Sequence, residues 1–304
     1  MKFLSTVWLL AGMLATAIPL AQADQKAPMP VAFAASESHL MKAQSIDQVF
    51  KIDVALPYSY SQGGQDDRTY PVVYVTDGGG NFPIVVGSQR MLTLGQELPE
   101  MIVVGIGYDT RDISRIMAIR TRDLTPTADQ DRLDRALQEP GTGLPSDVHH
   151  GGAEAFTMFI DKELKPFIND RYNVDVKNET YVGYSLGGLF GLYLLFNHDN
   201  AFDRYVIGSP SIWWDNGVSF EYEANYAEGH KDMAKRVFLS VGGLEEPAGS
   251  EAQMVTNMVN MYGRLQGRNY AGLALKHHIF EGETHMSSQG TAFNRGLRFV
   301  FGSE

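Results

Sequence analysis

The sequence predicts an α/β fold: a mostly parallel central sheet with helices on both faces and one insertion. Three observations carry this. Continuous apolar stretches of strand length alternate with stretches of helical period, as expected of parallel strands buried on both faces and joined by covering helices. A chain of 304 residues, 44% hydrophobic and 20% charged, can bury a large core within one domain. The alternation breaks once, from Asp109 to His150, in a polar stretch containing Pro and Gly that is too long for an ordinary connection and reads as a lid or substrate loop.

Taken in chain order, residues 1–23 (MKFLSTVWLLAGMLATAIPLAQA) open with Lys2, run apolar from Phe3 to Leu20 and end in Ala21-Gln22-Ala23. That is the layout of a cleavable signal peptide cut after Ala23, and it predicts a periplasmic or secreted protein whose residues 24–304 form a single domain. The formal charge is −11, so phosphate backbones and anionic lipid are repelled, and nucleic acid or membrane partners are not expected once the leader is removed. Cysteine is absent, which excludes a thiol nucleophile, disulfides and thiolate metal sites.

IDQVFKIDVALP (46–57) has a period of two and reads as an antiparallel edge strand. YPVVYVT (70–76), MIVVGIGY (101–108), TYVGY (180–184), RYVIGS (204–209), RVFLSVG (236–242) and LALKHHIF (273–280) read as the remaining strands. Helical periodicity covers 152–169, 186–197, 250–266 and 288–300.

Gly183-Tyr184-Ser185-Leu186-Gly187 falls at a junction between strand and helix. A nucleophile elbow needs that context, with glycines where side chains would collide in the tight turn, so Ser185 is the candidate nucleophile. A serine hydroxyl needs a base, and in this arrangement the order is Ser, acid, His. Of the histidines that follow, His277 and His278 lie within a strand, His198 ends the helix after Ser185, and His230 lies in a polar stretch. His285, in FEGETHMSSQG, follows the last strand and precedes the last helix, at the carboxyl edge of the sheet where α/β sites are assembled. The acid is sought after the penultimate strand, where RVFLSVGGLEEP offers Glu245, with Glu246 and the more distant Asp215 as alternatives. For the oxyanion, the Leu186 N–H follows the serine and YVTDGGGNF (74–82) supplies a Gly-rich turn, from which Gly79 N–H is chosen.

With YPVVYVTDGGGNF, RTRDLTP (120–126), GGAEAFTMFIDKELKPFINDRY (151–172), GYSLGG, SPSIWWDN (209–216), VGGLEEP and GETHMS in place, the chain resembles the Putative esterase (esterase D-like) family of α/β-hydrolases. The Arg-Asp-Leu-Thr-Pro and Ser-Pro-Ser-x-Trp-Trp stretches are most similar to its siderophore-esterase branch. The resemblance implies an α/β-hydrolase fold, a serine hydrolase mechanism and the roles of Ser185 and His285. It leaves the substrate open.

The expected chemistry is therefore ester hydrolysis through an acyl-enzyme, acting on a small-molecule ester and needing no cofactor. An acyltransferase of the same fold and a broad short-chain carboxylesterase are the alternatives. Arg115, Arg120 and Arg122 gather positive charge on an acidic chain and could meet a carboxylate or catecholate, although Asp112 and Asp123 lie close enough in sequence to pair with them. Trp213 and Trp214 could wall an aromatic acyl pocket, with one of them in the core. Asp147, His149 and His150 read as part of the insertion rather than as a metal site, because adjacent histidines do not converge on one ion.

Overall fold

The computed structural model describes residues 33–62, 68–129 and 149–302. The expected leader, Asp147 and the rest of the insertion from 130 to 148 lie outside the described residues. In chain order the elements are β1 (Ser36–Lys42), β2 (Val49–Ala55), β3 (Tyr70–Thr76), α1 (Gly78–Leu94), β4 (Ile102–Tyr108), α2 (Ile113–Leu124) and α3 (Ala153–Phe159, continued through a π-helical turn Ile160–Leu164 to Lys165–Asn169). There follow β5 (Val174–Tyr184), α4 (Leu186–Asn197), β6 (Arg204–Gly208), α5 (Val218–Gly229), β7 (Arg236–Gly242), α6 (Met254–Arg268), β8 (Ala274–Phe280) and α7 (Gln289–Phe301).

The strands form one eight-stranded sheet in the order β1-β2-β4-β3-β5-β6-β7-β8. β1 and β2 pair antiparallel, as do β2 and β4, and every later pairing is parallel. Parallel pairing aligns the carboxyl ends: Tyr184 stands beside Gly208, Gly208 beside Ser240, and Gly242 beside Phe280. The turns that leave these strands therefore share one edge, where α/β sites are built.

Burial on both faces explains why the strands read as unbroken apolar runs. Along β3, Val72 and Tyr74 pack into one cluster with Phe50, Phe156 and Phe190, while Val73 and Val75 pack into the other with Phe82, Phe293 and Leu297. The helices α1 and α7 cover this second face; α3, α4 and α6 help cover the first. Among the described residues no helix is long and apolar enough to cross a membrane.

Several elements depart from the sequence expectations. The stretch 46–57, expected at the sheet edge, forms β2 with partners on both sides, and the edge is taken by β1, a strand with little apolar content held where Tyr172 Oη meets His39 Nε2 at 2.9 Å and donates to Glu37. The three glycines expected to form an open turn instead begin α1, a helix that also contains Pro83. Both features oppose helix formation, and burial of Phe82, Val85, Val86 and Leu92 outweighs them. The segment expected to be irregular from Asp109 opens with α2, whose N-terminus is capped by the Asp112 carboxylate accepting from Ser114 N–H at 2.9 Å and Arg115 N–H at 3.3 Å.

Glycine at position 296 lets α7 lie against the sheet: an added Cβ would stand 2.3 Å from Val206 Cγ1 and 3.1 Å from Phe238 Cδ1. Gly296→Ala should destabilise the fold by about 1–3 kcal/mol through overpacking. At Gly263, exposed on α6, nothing lies within 4 Å of an added Cβ. Gly263→Ala should therefore raise stability by about 0.5–1 kcal/mol. Urea unfolding of the two variants checks the opposite signs.

Candidate active site

Ser185, Glu245 and His285 follow β5, β7 and β8, whose carboxyl ends lie along one edge of the sheet. Ser185 follows β5 directly, with φ 61° and ψ −118°, a conformation that costs an L-residue about 1–3 kcal/mol and persists only where its surroundings impose it. They do so here. Ser185 N–H donates to Gly208 O at 3.0 Å, and Ser185 O accepts from Leu189 N–H at 3.0 Å and Ser211 N–H at 3.2 Å. Only glycine fits on either side: a Cβ at position 183 would lie 2.3 Å from Gly187 O, and one at 187 would lie 2.6 Å from Thr76 Oγ1. Ser185 occupies the N-cap position of α4, where a serine ordinarily accepts from a backbone N–H of the first turn. Its dihedrals prevent that, and the side chain makes no capping bond. The hydroxyl and the helix N–H groups thus stay separate.

The imidazole and its acid meet from two other strand ends. His285 Nδ1 lies 2.6 Å from Glu245 Oε2, and the Glu245 side chain is only 1% exposed. Its other oxygen, Oε1, accepts from Ser209 Oγ at 2.6 Å and from Gly242 N–H at 2.6 Å. Burial works to raise the Glu245 carboxyl, but the bonds from His285, Ser209 and Gly242 hold it below the ordinary carboxylate range. Nδ1 donates to an ionised carboxylate, so Nε2 is left as the acceptor. The histidine is anchored a second time. Tyr184 Oη donates to His285 O at 2.7 Å and lies 2.6 Å from Ser288 Oγ, while its ring centroid stands 5.2 Å from that of His285.

The adjacent glutamates diverge. Glu246 turns outward to the start of α6, where it accepts from Thr256 N–H and Thr256 Oγ1, both at 2.7 Å. Leu186 and Gly79 each sit in the first turn of a helix, α4 and α1, and among the described residues nothing accepts from Gly79 N–H.

The Putative esterase family model matches residues 43–299. The chain belongs to the Putative esterase family. It is 30% identical over 270 residues to the ferri-bacillibactin esterase BesA of Bacillus subtilis, covering 87% of this chain and 89% of that one. It is 26% identical over 297 residues to the siderophore triacetylfusarinine C esterase of Aspergillus fumigatus, covering 90% and 96%. Among solved structures it is similar to the BES protein of Bacillus cereus, with a TM-score of 0.76 at 30% identity over 91% of this chain and 99% of that one. The siderophore hydrolase EstB of Aspergillus nidulans gives a TM-score of 0.74 at 25% identity, covering 90% and 98%. This member of the Putative esterase family has the α/β-hydrolase fold, falls in the siderophore-esterase branch and is a carboxylic ester hydrolase.

The arginines and tryptophans of this Putative esterase are mostly engaged within the protein. Arg120, expected to face a substrate anion, grips Asp77 with both arms of its fork, Nε to Oδ1 at 2.8 Å and Nη2 to Oδ2 at 2.9 Å. Arg122 Nε donates to the buried Asp123 at 2.6 Å. Burial pushes the Asp123 carboxyl up to about 6 against the opposing pull of Arg122. Arg115 lies on the exposed side of α2. Trp214 is buried and donates from Nε1 to Thr127 O at 3.3 Å, and Trp213 packs against it half-buried, with ring centroids 5.9 Å apart. His150 meets Trp214 edge-on at 4.9 Å.

Four participants were not read from the sequence: Asp77, Tyr184, Ser209 and Ser288. Tyr184 stood within the motif as an unspecified position, and Asp77 stood directly before the glycines.

Glu245→Gln should slow ester turnover by at least about 100-fold, since the amide neither stabilises an imidazolium nor selects the tautomer. Glu246→Gln should leave turnover within about twofold. Steady-state kinetics on one ester decide between them, and the reverse ranking would transfer the role to Glu246.

Proposed function

We propose that the chain is an exported serine esterase that cleaves a siderophore-type ester through an acyl-enzyme on Ser185. The observation that carries this reading is the 2.6 Å contact between His285 Nδ1 and buried Glu245, at the sheet edge that also holds Ser185 with its hydroxyl uncommitted to capping.

In this mechanism His285 Nε2 takes the Ser185 proton as Oγ attacks the ester carbonyl. The Glu245 carboxylate stabilises the imidazolium, and the N–H groups of Leu186 and Gly79 hold the oxyanion at the N-termini of two helices. The imidazolium then protonates the departing alcohol. Water, deprotonated by the same imidazole, attacks the acyl-enzyme and releases the acid. Each helix N-terminus is favourable to developing negative charge for the same reason that it binds anions.

The substrate class is supported by the relatives. The curated bacterial and fungal proteins are named for siderophore esters and align with this chain over 89% and 96% of their lengths. Trp213, half-buried on Trp214, is assigned to the wall of an acyl pocket. Arg120 and Arg122 act in this reading through the carboxylates they hold, Asp77 and Asp123. Export is supported by the apolar leader ending in Ala21-Gln22-Ala23.

Mass spectrometry after a fluorophosphonate probe should find the adduct on Ser185, and Ser185→Ala should lower turnover by about 10⁴-fold or more while the protein stays folded. Across a panel, kcat/KM should be at least about tenfold higher for a siderophore-type ester than for a p-nitrophenyl ester of a short acid. A preference for the short acyl ester would leave a broad carboxylesterase, and transfer to an added alcohol in place of hydrolysis would mark an acyltransferase. Labelling on another serine would reject the nucleophile.

A further inference from the structure

Asp77 stands where an aspartate normally caps a helix. It occupies the N-cap position of α1, but with φ 54° and ψ 43° its backbone is left-handed rather than the extended conformation from which a carboxylate accepts from the second or third N–H of the helix, here Gly79 or Gly80. It makes no such bond. The backbone oxygen of Asp77 takes Gly80 N–H and Asn81 N–H, each at 3.0 Å, and Gly79 N–H is left without a described acceptor.

The carboxylate is held elsewhere. Arg120, from α2, binds both of its oxygens in a fork that leaves the two side chains 13% and 18% exposed. The pair lies against the elbow, since an added Cβ on Gly187 would come within 3.7 Å of Asp77 Oδ2. An unpaired carboxylate at this point opposes a reaction that builds negative charge on a carbonyl oxygen, because it repels the oxyanion in surroundings of low dielectric.

We propose that Arg120 is a positioning residue: it holds the Asp77 carboxylate in place beside the N-terminus of α1 and neutralises it, so that no negative charge opposes the oxyanion at Gly79 N–H. The inference rests on the serine-esterase reading given above. It departs from a substrate-binding arginine in assigning the guanidinium a partner within the protein and an effect on kcat rather than on KM. The burial that opposes its charge is outweighed by Asp77, which holds the guanidinium protonated above its ordinary value. Asp77 in turn has both carboxylate oxygens met by the fork, one bond to each.

The experiment uses the full chain, p-nitrophenyl butyrate as a neutral ester, and four proteins: wild type, Arg120→Ala, Asp77→Gly and the double variant. Glycine at 77 suits the left-handed backbone and removes the opposing carboxylate. Arg120→Ala should lose about 100-fold in kcat, as much as the loss of one oxyanion donor costs, with KM within about twofold. Adding Asp77→Gly should recover at least about tenfold of that loss. Butylboronic acid, which forms a tetrahedral adduct on the serine, should weaken in parallel with kcat. A double variant as slow as Arg120→Ala, or a loss confined to KM, overturns the proposal, because a merely structural ion pair gives no rescue when its second member is removed. Where circular dichroism shows that Arg120→Ala does not fold, Arg120→Lys with and without Asp77→Gly gives the same comparison by the same criterion. Wild type that hydrolyses the ester while Arg120→Ala is unimpaired overturns this pair alone, whereas wild type that neither hydrolyses it nor labels at Ser185 overturns the esterase reading and the inference with it.

Discussion

A carboxylate that is 1% exposed is tolerable only when its lone pairs are met, and Glu245 meets this condition by drawing on the ends of neighbouring strands. Gly242 N–H comes from the end of β7, Ser209 follows β6, and His285 follows β8. Tyr184, the last residue of β5, closes the circuit through His285 O and Ser288. The buried anion thus works as a clamp across the carboxyl edge of four strands. Orientation of the imidazole is one consequence among several: Ser209 is held at φ 39° and 0% exposure beside the strand that precedes Ser185. A serine in that conformation is strained, and the bond to Glu245 helps to retain it.

The same edge shows a repeated departure from ordinary helix capping. Asp77 and Ser185 are both residues that cap helices well, both occupy N-cap positions, and neither caps. Two helices, α1 and α4, therefore point N–H groups toward one region with no side chain covering them. Leaving such donors unmet costs stability, and the compensation lies in the burial behind them: Phe82, Val85 and Val86 under α1, and nearly all of α4. The strong core permits the uncapped ends, and the uncapped ends make an electropositive edge on an acidic chain.

Much of this was legible in the sequence because burial on two faces writes itself as continuous apolar runs. β3 and β7 have the expected bounds, and so does α4, whose apolar composition and flanking glycines mark both ends. Elements whose stability comes from tertiary packing were not legible. α1 begins with three glycines and contains a proline, so local propensity argues against it, and only the cluster around Phe82 and Phe293 accounts for it. β1 has no apolar alternation because it lies at an edge with most of its side chains exposed or half-exposed. α5 likewise mixes polar and apolar residues around a buried Glu223, which Arg268 grips with bonds of 2.7 and 3.1 Å.

The site divides along the same line. A parallel sheet orders its βα turns by chain order, so the positions that could hold a serine, an acid and a histidine are predictable from where the strands end. Which polar side chains touch is another matter, because contacts at the carboxyl edge join turns that are remote in sequence. Arg122 pairs with its neighbour Asp123, as proximity along the chain suggests. Arg120, two residues earlier and on the same helix, pairs with Asp77 on the far side of β4, in a different turn of the sheet. Helical spacing separates them: two positions apart on a helix are about 200° apart around its axis, so the two arginines face different surroundings whatever their shared sequence context. A cluster of arginines in a sequence is thus a statement about a segment, and a charge available to a ligand is a statement about a face. Only the fold converts one into the other, and here it directs Arg120 to Asp77, in the turn that enters α1.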